Sequence, residues 1–231
     1  EAFRQQKAFI ADTSHELRTP LSILSFDIME ALKYVDSELV IAEHLKDANR
    51  EIAHLARIVD DLQWLAKNDA GQLHVEKEHI RLDEILLDTL SRCQKFAAQK
   101  KVNLTIKKMD IVEIYGDEKL LIHSFSNLVN NAIKYSEEGG KVFLSVYQED
   151  SKGILQVEDF GIGIPEEALD RIFERFYRVD TSRSRATGGS GLGLSIARQI
   201  AQLHSGKIEV KSVLGKGSRF SLQLSITNNR V

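Results

Sequence analysis

The residue pattern predicts an α+β chain: a long antiparallel helical hairpin that pairs with a second copy as a four-helix bundle, followed by an α/β sandwich with a mixed sheet. Three observations carry this. Apolar residues recur at heptad spacing through the first 66 residues, helical and strand patterns alternate from about residue 80 onward, and glycine-rich stretches interrupt that second half where elements meet.

The first helix runs over residues 1 to about 33. Phe3, Ile10, Leu17, Leu24 and Ala31 repeat every seventh position, and Leu21 and Ile28 lie beside them. His15 falls about 140° from the centre of that stripe, so it faces water, with Glu16 next to it in sequence. Pro20 stands in mid-helix, where it removes a backbone donor and bends the axis. A polar stretch at Tyr34-Val35-Asp36-Ser37 leads to a second helix of about thirty residues, whose seam is Leu45, Ala48, Ile52, Leu55, Val59, Leu62 and Ala66. Two long helices on a short connection make an antiparallel hairpin, and a hairpin alone leaves part of each stripe wet. A homodimer through the helices solves that economically.

The domains expected are 1–68 for the hairpin, 69–79 for a linker that starts at the turn-forming Lys67-Asn68-Asp69-Ala70-Gly71, and 80–231 for the sandwich. Within the sandwich, helices are predicted at about 82–101, 117–135, 166–174 and 191–204, and strands at about 102–107, 111–115, 141–148, 153–159, 207–213 and 218–226. The last two strands form a hairpin across Gly215-Lys216-Gly217.

A net charge of −3 argues against nucleic acid as a partner and against direct membrane contact by this chain. The lone Cys93 rules out an internal disulfide and suits a reducing cytoplasm. No apolar run is long enough to cross a bilayer. The chain begins without Met and already inside a helical pattern, the expectation for a piece of a longer, membrane-anchored protein whose cytoplasmic portion this is.

The helix containing Asn127 has a chemically unusual face. With Asn127 at zero, Asn131, Lys134 and Tyr135 project at about 40°, −20° and 80°, opposite Leu121, Phe125, Leu128, Val129 and Ala132. Asparagine is a poor interior helix former, so two of them on one face ask for a functional reason. An amide oxygen suits Mg²⁺ held jointly with phosphate oxygens, and Lys134 can neutralise the same phosphates. Asp159 closes a strand and precedes Gly161 and Gly163, a strand-terminal carboxylate followed by backbone able to approach a flat ligand. Gly189, Ser190, Gly191, Leu192, Gly193 and Leu194 lead into a helix, and free N–H groups at such a terminus bind polyphosphate. The segment from Val179 to Thr187 before it reads as a mobile lid. His15-Glu16-Leu17-Arg18-Thr19 carries Thr where a zinc H-E-x-x-H motif needs its second His, which excludes that metal site. The remaining histidines, His204 among them, read as surface or boundary residues.

Together these segments resemble the catalytic core of a two-component sensor histidine kinase. Residues 9–21 are similar to the family's H-box, Asn127 to Ser136 to its N-box, Asp159 to Gly163 to the first glycine box, Phe173 to Arg178 to the F-box, and Gly189 to Leu194 to the second glycine box. Only Phe160 departs, at a position that is commonly Asn. The resemblance implies a Bergerat-type ATP-binding domain in which Asp159 reads the adenine amino group and Asn131 holds Mg²⁺. Asn127, Lys134, Tyr135 and the glycine loop would surround the phosphates, and Arg178 would stabilise charge during transfer. His15 would be the phosphoryl acceptor and Glu16 its base. A response-regulator receiver domain would take the phosphoryl group onward, and Thr19, one turn beyond His15, would orient a water for a phosphatase reaction. The alternatives are an ATP-driven conformational ATPase or a nucleotide-binding dimeric scaffold on the same fold. Relatives of the first kind carry a Glu near the start of the N-box, where this chain has Asn127, which cannot take a proton from water.

Overall fold

The structure is a computed structural model that describes residues 2–33, 38–179 and 189–226. The side chains of residues 2–12, 14–16, 32–33 and 38 lie outside the described residues, those of His15 and Glu16 among them. The lid expected at Val179 to Thr187 falls outside them as well, apart from Val179. Two compact units divide between Leu73 and His74.

The first unit is the hairpin of α1 (Ala2–Lys33) and α2 (Glu38–Asp69). Helix α1 continues through Pro20, and the Ser22 and Ser25 hydroxyls donate to the carbonyls of Arg18 and Leu21, each at 2.9 Å. Leu17, Leu24 and Ala31 turn inward as the stripe predicts, with buried Pro20 and Asp27 on the same side. Asp27 lies 3.7 Å from His44 across the hairpin. The α2 seam is divided. Of the expected seam Ala48 is buried and Leu55 and Leu62 are half-buried, whereas Leu45, Ile52, Val59 and Ala66 are exposed, as are Leu21 and Ile28 of α1; the buried Ile58 and Leu65 lie outside that seam. One neighbouring helix covers only one flank of an apolar stripe wider than a single contact line, so the other flank is left open.

In the second unit α3 (Leu82–Gln99), α4 (Glu118–Tyr135) and α5 (Gly193–Leu203) pack on one face of a five-stranded sheet. Its strands are β2 (Asn103–Met109), β4 (Lys141–Glu149), β5 (Lys152–Asp159), β6 (Lys207–Val213) and β7 (Gly217–Ser225), in the order β2-β4-β5-β7-β6. β2 and β4 are parallel across the α4 crossover and the other pairs are antiparallel, which makes the sheet mixed, as expected. Val142, Leu144, Val146, Leu155, Val157, Leu222 and Leu224 face the helices and are buried. On the opposite face Glu158 pairs with Lys107 and Arg219.

Two expectations are corrected. A short strand, β1 (Glu78–Arg81), pairs with β3 (Glu113–Gly116), so Glu78 and His79 belong to a sheet rather than to a linker ending at 79. Four residues with two charges and one buried Ile80 carry no readable period. The helix expected at about 166–174 is a 3₁₀ turn at Glu166–Ala168 followed by further turns. There the Arg171 and Ile172 amides both donate to the Ala168 carbonyl, and the Phe176 amide donates to the Gly191 carbonyl at 3.0 Å, which draws the chain aside.

Candidate functional site

Helix α4 begins at Asp117, whose carboxylate accepts from the Leu120 amide at 3.1 Å, and ends at Ser136, whose hydroxyl donates to the Ala132 carbonyl at 2.7 Å. These caps place Asn127, Asn131, Lys134 and Tyr135 on the half-buried face, while Leu121, Phe125, Leu128, Val129 and Ala132 are buried. The Asn127 amide nitrogen is buried and has no hydrogen-bond partner among the described residues. Its side chain lies against Gly193, the first residue of α5, where an added β-carbon would stand 3.4 Å from Asn127 Cγ.

Among the described residues no side chain caps the N-terminus of α5. Its entry is held from within: Leu192 is fully buried, the Ser190 hydroxyl accepts from the Leu192 amide at 3.3 Å, and the Ser195 hydroxyl donates to the Leu192 carbonyl at 2.7 Å. Gly189 lies against the Lys134 ammonium, which also stands 5.0 Å above the Tyr135 ring. Asn127, Lys134, Gly189 and Gly193, predicted from separate segments, therefore meet in one place. Leu194 follows on the first turn of α5, half-buried. Gly191 has φ +71°, and a β-carbon there would come within 2.8 Å of the Phe176 backbone. Phe176 is itself at φ +62°, a rare conformation for an aromatic residue, so the turn before the glycine loop is locked to it. Arg178 is half-buried two residues beyond.

Asp159 ends β5, only 6% exposed. Burial raises its carboxyl above the usual range, opposed by the N–H groups of Gly161 and Ser218, the first of which donates at 2.9 Å. A buried carboxylate with spare acceptor capacity can take a hydrogen bond from an amino group. The two glycines after it have a reason in the protein's own packing. A β-carbon on Gly161 would strike the Tyr135 carbonyl, and one on Gly163, at φ +68°, would strike the Val213 carbonyl. The Ile162 amide then donates to the Tyr135 carbonyl at 3.3 Å, joining the Asp159 loop to the end of α4. The ring of Phe160 packs edge-on against Phe143, 5.6 Å away on the face of the sheet opposite the helices, so this departure points away from α4.

A cleft of about 480 Å³ borders Asp159, Phe160, Ser212, Gly217 and Ser218, though not Asn127 or Lys134. The sequence did not single out two hydroxyls that line this cleft: those of Ser212 and Ser218 lie 2.9 Å apart, and Ser212 also accepts from the Ile164 amide at 2.8 Å.

The orphaned Asn127 donor, the uncapped N-terminus of α5 and the nearby Lys134 ammonium fit a polyphosphate. The Asn131 oxygen, one turn beyond Asn127, is the hard donor that fits Mg²⁺ held by those phosphates. In the hairpin unit Thr19 is exposed on α1. Among the described residues no helix is long and apolar enough to cross a membrane.

Comparison with known proteins follows the same division. Residues 5–71 match the family model of the His Kinase A (phospho-acceptor) domain. Residues 116–228 match that of the histidine kinase-, DNA gyrase B-, and HSP90-like ATPase. The signal transduction histidine-protein kinase ArlS of Staphylococcus aureus is 35% identical over 229 residues, which covers 96% of this chain and 49% of ArlS, so the chain spans about half the length of that relative. The structure of the Acinetobacter baumannii histidine kinase AdeS superposes with a TM-score of 0.73 at 25% identity, over 93% of this chain and 98% of that one. The mycobacterial sensor histidine kinase MprB superposes at 0.57 with 27% identity, over 65% and 97%. Matched in both units and in the same order, the chain belongs to the two-component sensor histidine kinases and carries their catalytic core.

Proposed function

We propose that this core phosphorylates His15 from ATP and passes the phosphoryl group to an aspartate of a response-regulator receiver domain. The observation that carries the reading is the buried Asn127 donor, without a partner among the described residues, beside the N-terminus of α5. An apolar environment does not leave such a group unpaired without cost, and a phosphate oxygen satisfies it.

Asp159 accepts from the adenine amino group, and Asn127, Lys134, Tyr135 and residues 189–194 hold the phosphates. Mg²⁺, held by Asn131, supplies charge neutralisation on those phosphates. A neutral His15 nitrogen attacks the γ-phosphorus: the P–N bond forms, the bond to the β–γ bridging oxygen breaks, and ADP leaves. Glu16 takes the proton released by the second ring nitrogen. Arg178 stabilises charge on the transferring group. Positioning and charge neutralisation supply most of the rate.

The exposed Leu21, Ile28, Leu45, Ile52 and Val59 meet a second copy in a homodimeric bundle. The histidine kinase ThkA, which shares this fold with a TM-score of 0.75, has been crystallised with the response regulator TrrA, and a receiver domain is the acceptor expected here. Thr19 then orients a water that hydrolyses the regulator's phosphate. ATP and a receiver domain place this portion of the protein on the cytoplasmic side.

The purified chain, incubated with γ-labelled ATP and Mg²⁺, is expected to gain acid-labile phosphate on protein, while His15→Gln and Asp159→Asn gain none. Undiminished labelling of His15→Gln overturns the assignment.

A further inference from the structure

Away from the proposed phosphates, the far ends of α4 and α5 meet on one buried imidazole. The ring of His204, at the C-cap of α5, accepts from the Asp117 amide at Nε2, 2.9 Å away. Its Nδ1 lies 2.8 Å from the Ile200 carbonyl. A ring that accepts at Nε2 and faces a carbonyl at Nδ1 is neutral with the proton on Nδ1. The same knot reaches the segment that follows the boundary between the two units. The Glu76 amide donates to Asp117 Oδ2 at 3.0 Å, and the Lys77 ammonium donates to the Leu203 carbonyl at 2.9 Å. Gly116 makes room for the ring, since a β-carbon there would stand 3.0 Å from His204 Cδ2.

We infer that His204 is a positioning residue: in its neutral, Nδ1-protonated form it clamps the N-terminus of α4 to the C-terminus of α5 and to residues 76–77, and thereby sets the spacing between Asn127 and the glycine loop. The inference rests on the nucleotide reading of that site. Along their length the Ser124 hydroxyl also ties the two helices, donating to the Ala197 carbonyl at 3.2 Å. Asn127 lies one turn beyond Ser124, so a shift at the Asp117 end pivots about that tie and moves the Asn127 face against Gly193. Protonation at Nε2 would set two donors against each other at the Asp117 amide and open the clamp. Burial lowers the imidazole below its ordinary value; the Lys77 charge acts in the same direction, whereas the Ile200 carbonyl and the Asp117 carboxylate oppose it. Glu76, Glu78, Glu118 and Lys119 border the cleft beside Asp117.

The test uses the whole chain with MgADP as probe, across pH 5.5 to 8, in wild type, His204→Gln and His204→Phe. Imidazole ¹⁵N shifts should report the Nδ1–H tautomer at neutral pH, with a midpoint below that of an ordinary imidazole. Wild-type affinity should fall more than that of His204→Gln on acidification, approaching about tenfold as the imidazole becomes fully protonated, the scale of one buried donor left unpaired. Titration of the nucleotide's own phosphate is common to both and cancels. His204→Phe should bind about tenfold more weakly throughout, by the same unpaired Asp117 amide. An Nε2–H tautomer, or identical pH profiles for wild type and His204→Gln, overturns the clamp. A wild type that binds no nucleotide at any pH overturns the nucleotide reading instead, and exchange of the Asp117 amide still decides the clamp: fast exchange in wild type at neutral pH overturns it, and protection lost in His204→Phe supports it.

Discussion

Asp159 sets two demands on one carboxyl. It must stay dry to recognise a neutral amine, and it must stay ionised to accept from one. Because burial raises its pKa, nucleotide affinity should weaken on acidification at a higher pH than an ordinary carboxylate dictates, since the protonated group turns a donor toward the base. Titrations of MgADP affinity on the His204→Gln background isolate this effect. Asp159→Asn offers an NH₂ at one of the same positions and should lose about a hundredfold or more in affinity at every pH, the cost of an unmatched buried hydrogen bond. His204 works in the opposite sense on stability. Its folded-state pKa lies below the ordinary 6.5, so the folded chain binds fewer protons than the unfolded one. The associated stability is present above that ordinary value and is lost as pH falls from there toward the folded pKa. The Tm of wild type relative to His204→Gln should therefore fall between pH 7 and pH 5, as scanning calorimetry can measure.

At the level of elements, α1 gives up helix stability at Pro20. The ring removes the hydrogen bond that would reach the Glu16 carbonyl, a loss of about 3 kcal/mol against Ala in a helix interior. Pro20→Ala should raise the melting temperature of the chain and lower its autophosphorylation rate. An unchanged rate would show that the helix needs no break beside His15. The glycine loop is constrained in another way. Gly191→Ala puts a β-carbon against the Phe176 backbone at a positive φ, and the expected loss is about 1–3 kcal/mol, with weaker nucleotide binding read by the same titration. Gly161 and Gly163 were read as a close approach to ligand, but the Tyr135 and Val213 carbonyls already account for both. A Gly-x-Gly run records only that something comes near the backbone, whether ligand or chain.

At the scale of the molecule, the hairpin exposes a line of large apolar residues that no single chain covers. Ile52, at 52% exposure, and Val59, at 42%, lie on it one heptad apart. Charges there should prevent pairing, because each buried aliphatic side chain contributes about 1.5–3 kcal/mol to an apolar interface. Ile52→Asp combined with Val59→Asp should sediment as a monomer where wild type sediments as a dimer, while the second unit still binds MgADP.

The helical hairpin, the mixed sheet and the face shared by Asn127, Asn131 and Lys134 were legible in the sequence, because each depends on a local period repeated over many residues. The resemblance to the histidine kinases was legible for a similar reason, since its motifs are short runs whose order survives without coordinates. Strand β1 and the turns after Glu166 were not, because they take their shape from partners remote in sequence, β3 and Gly191. Only the tertiary structure showed that the buried Ile58 and Leu65 lie outside the expected α2 seam, turned Phe160 away from α4, and brought His204 from an expected surface or boundary position to a buried joint 87 residues from Asp117. Periodicity specifies which side of an element seeks an apolar environment. What that side meets, and whether a polar group there finds a partner, is settled only when distant segments pack together.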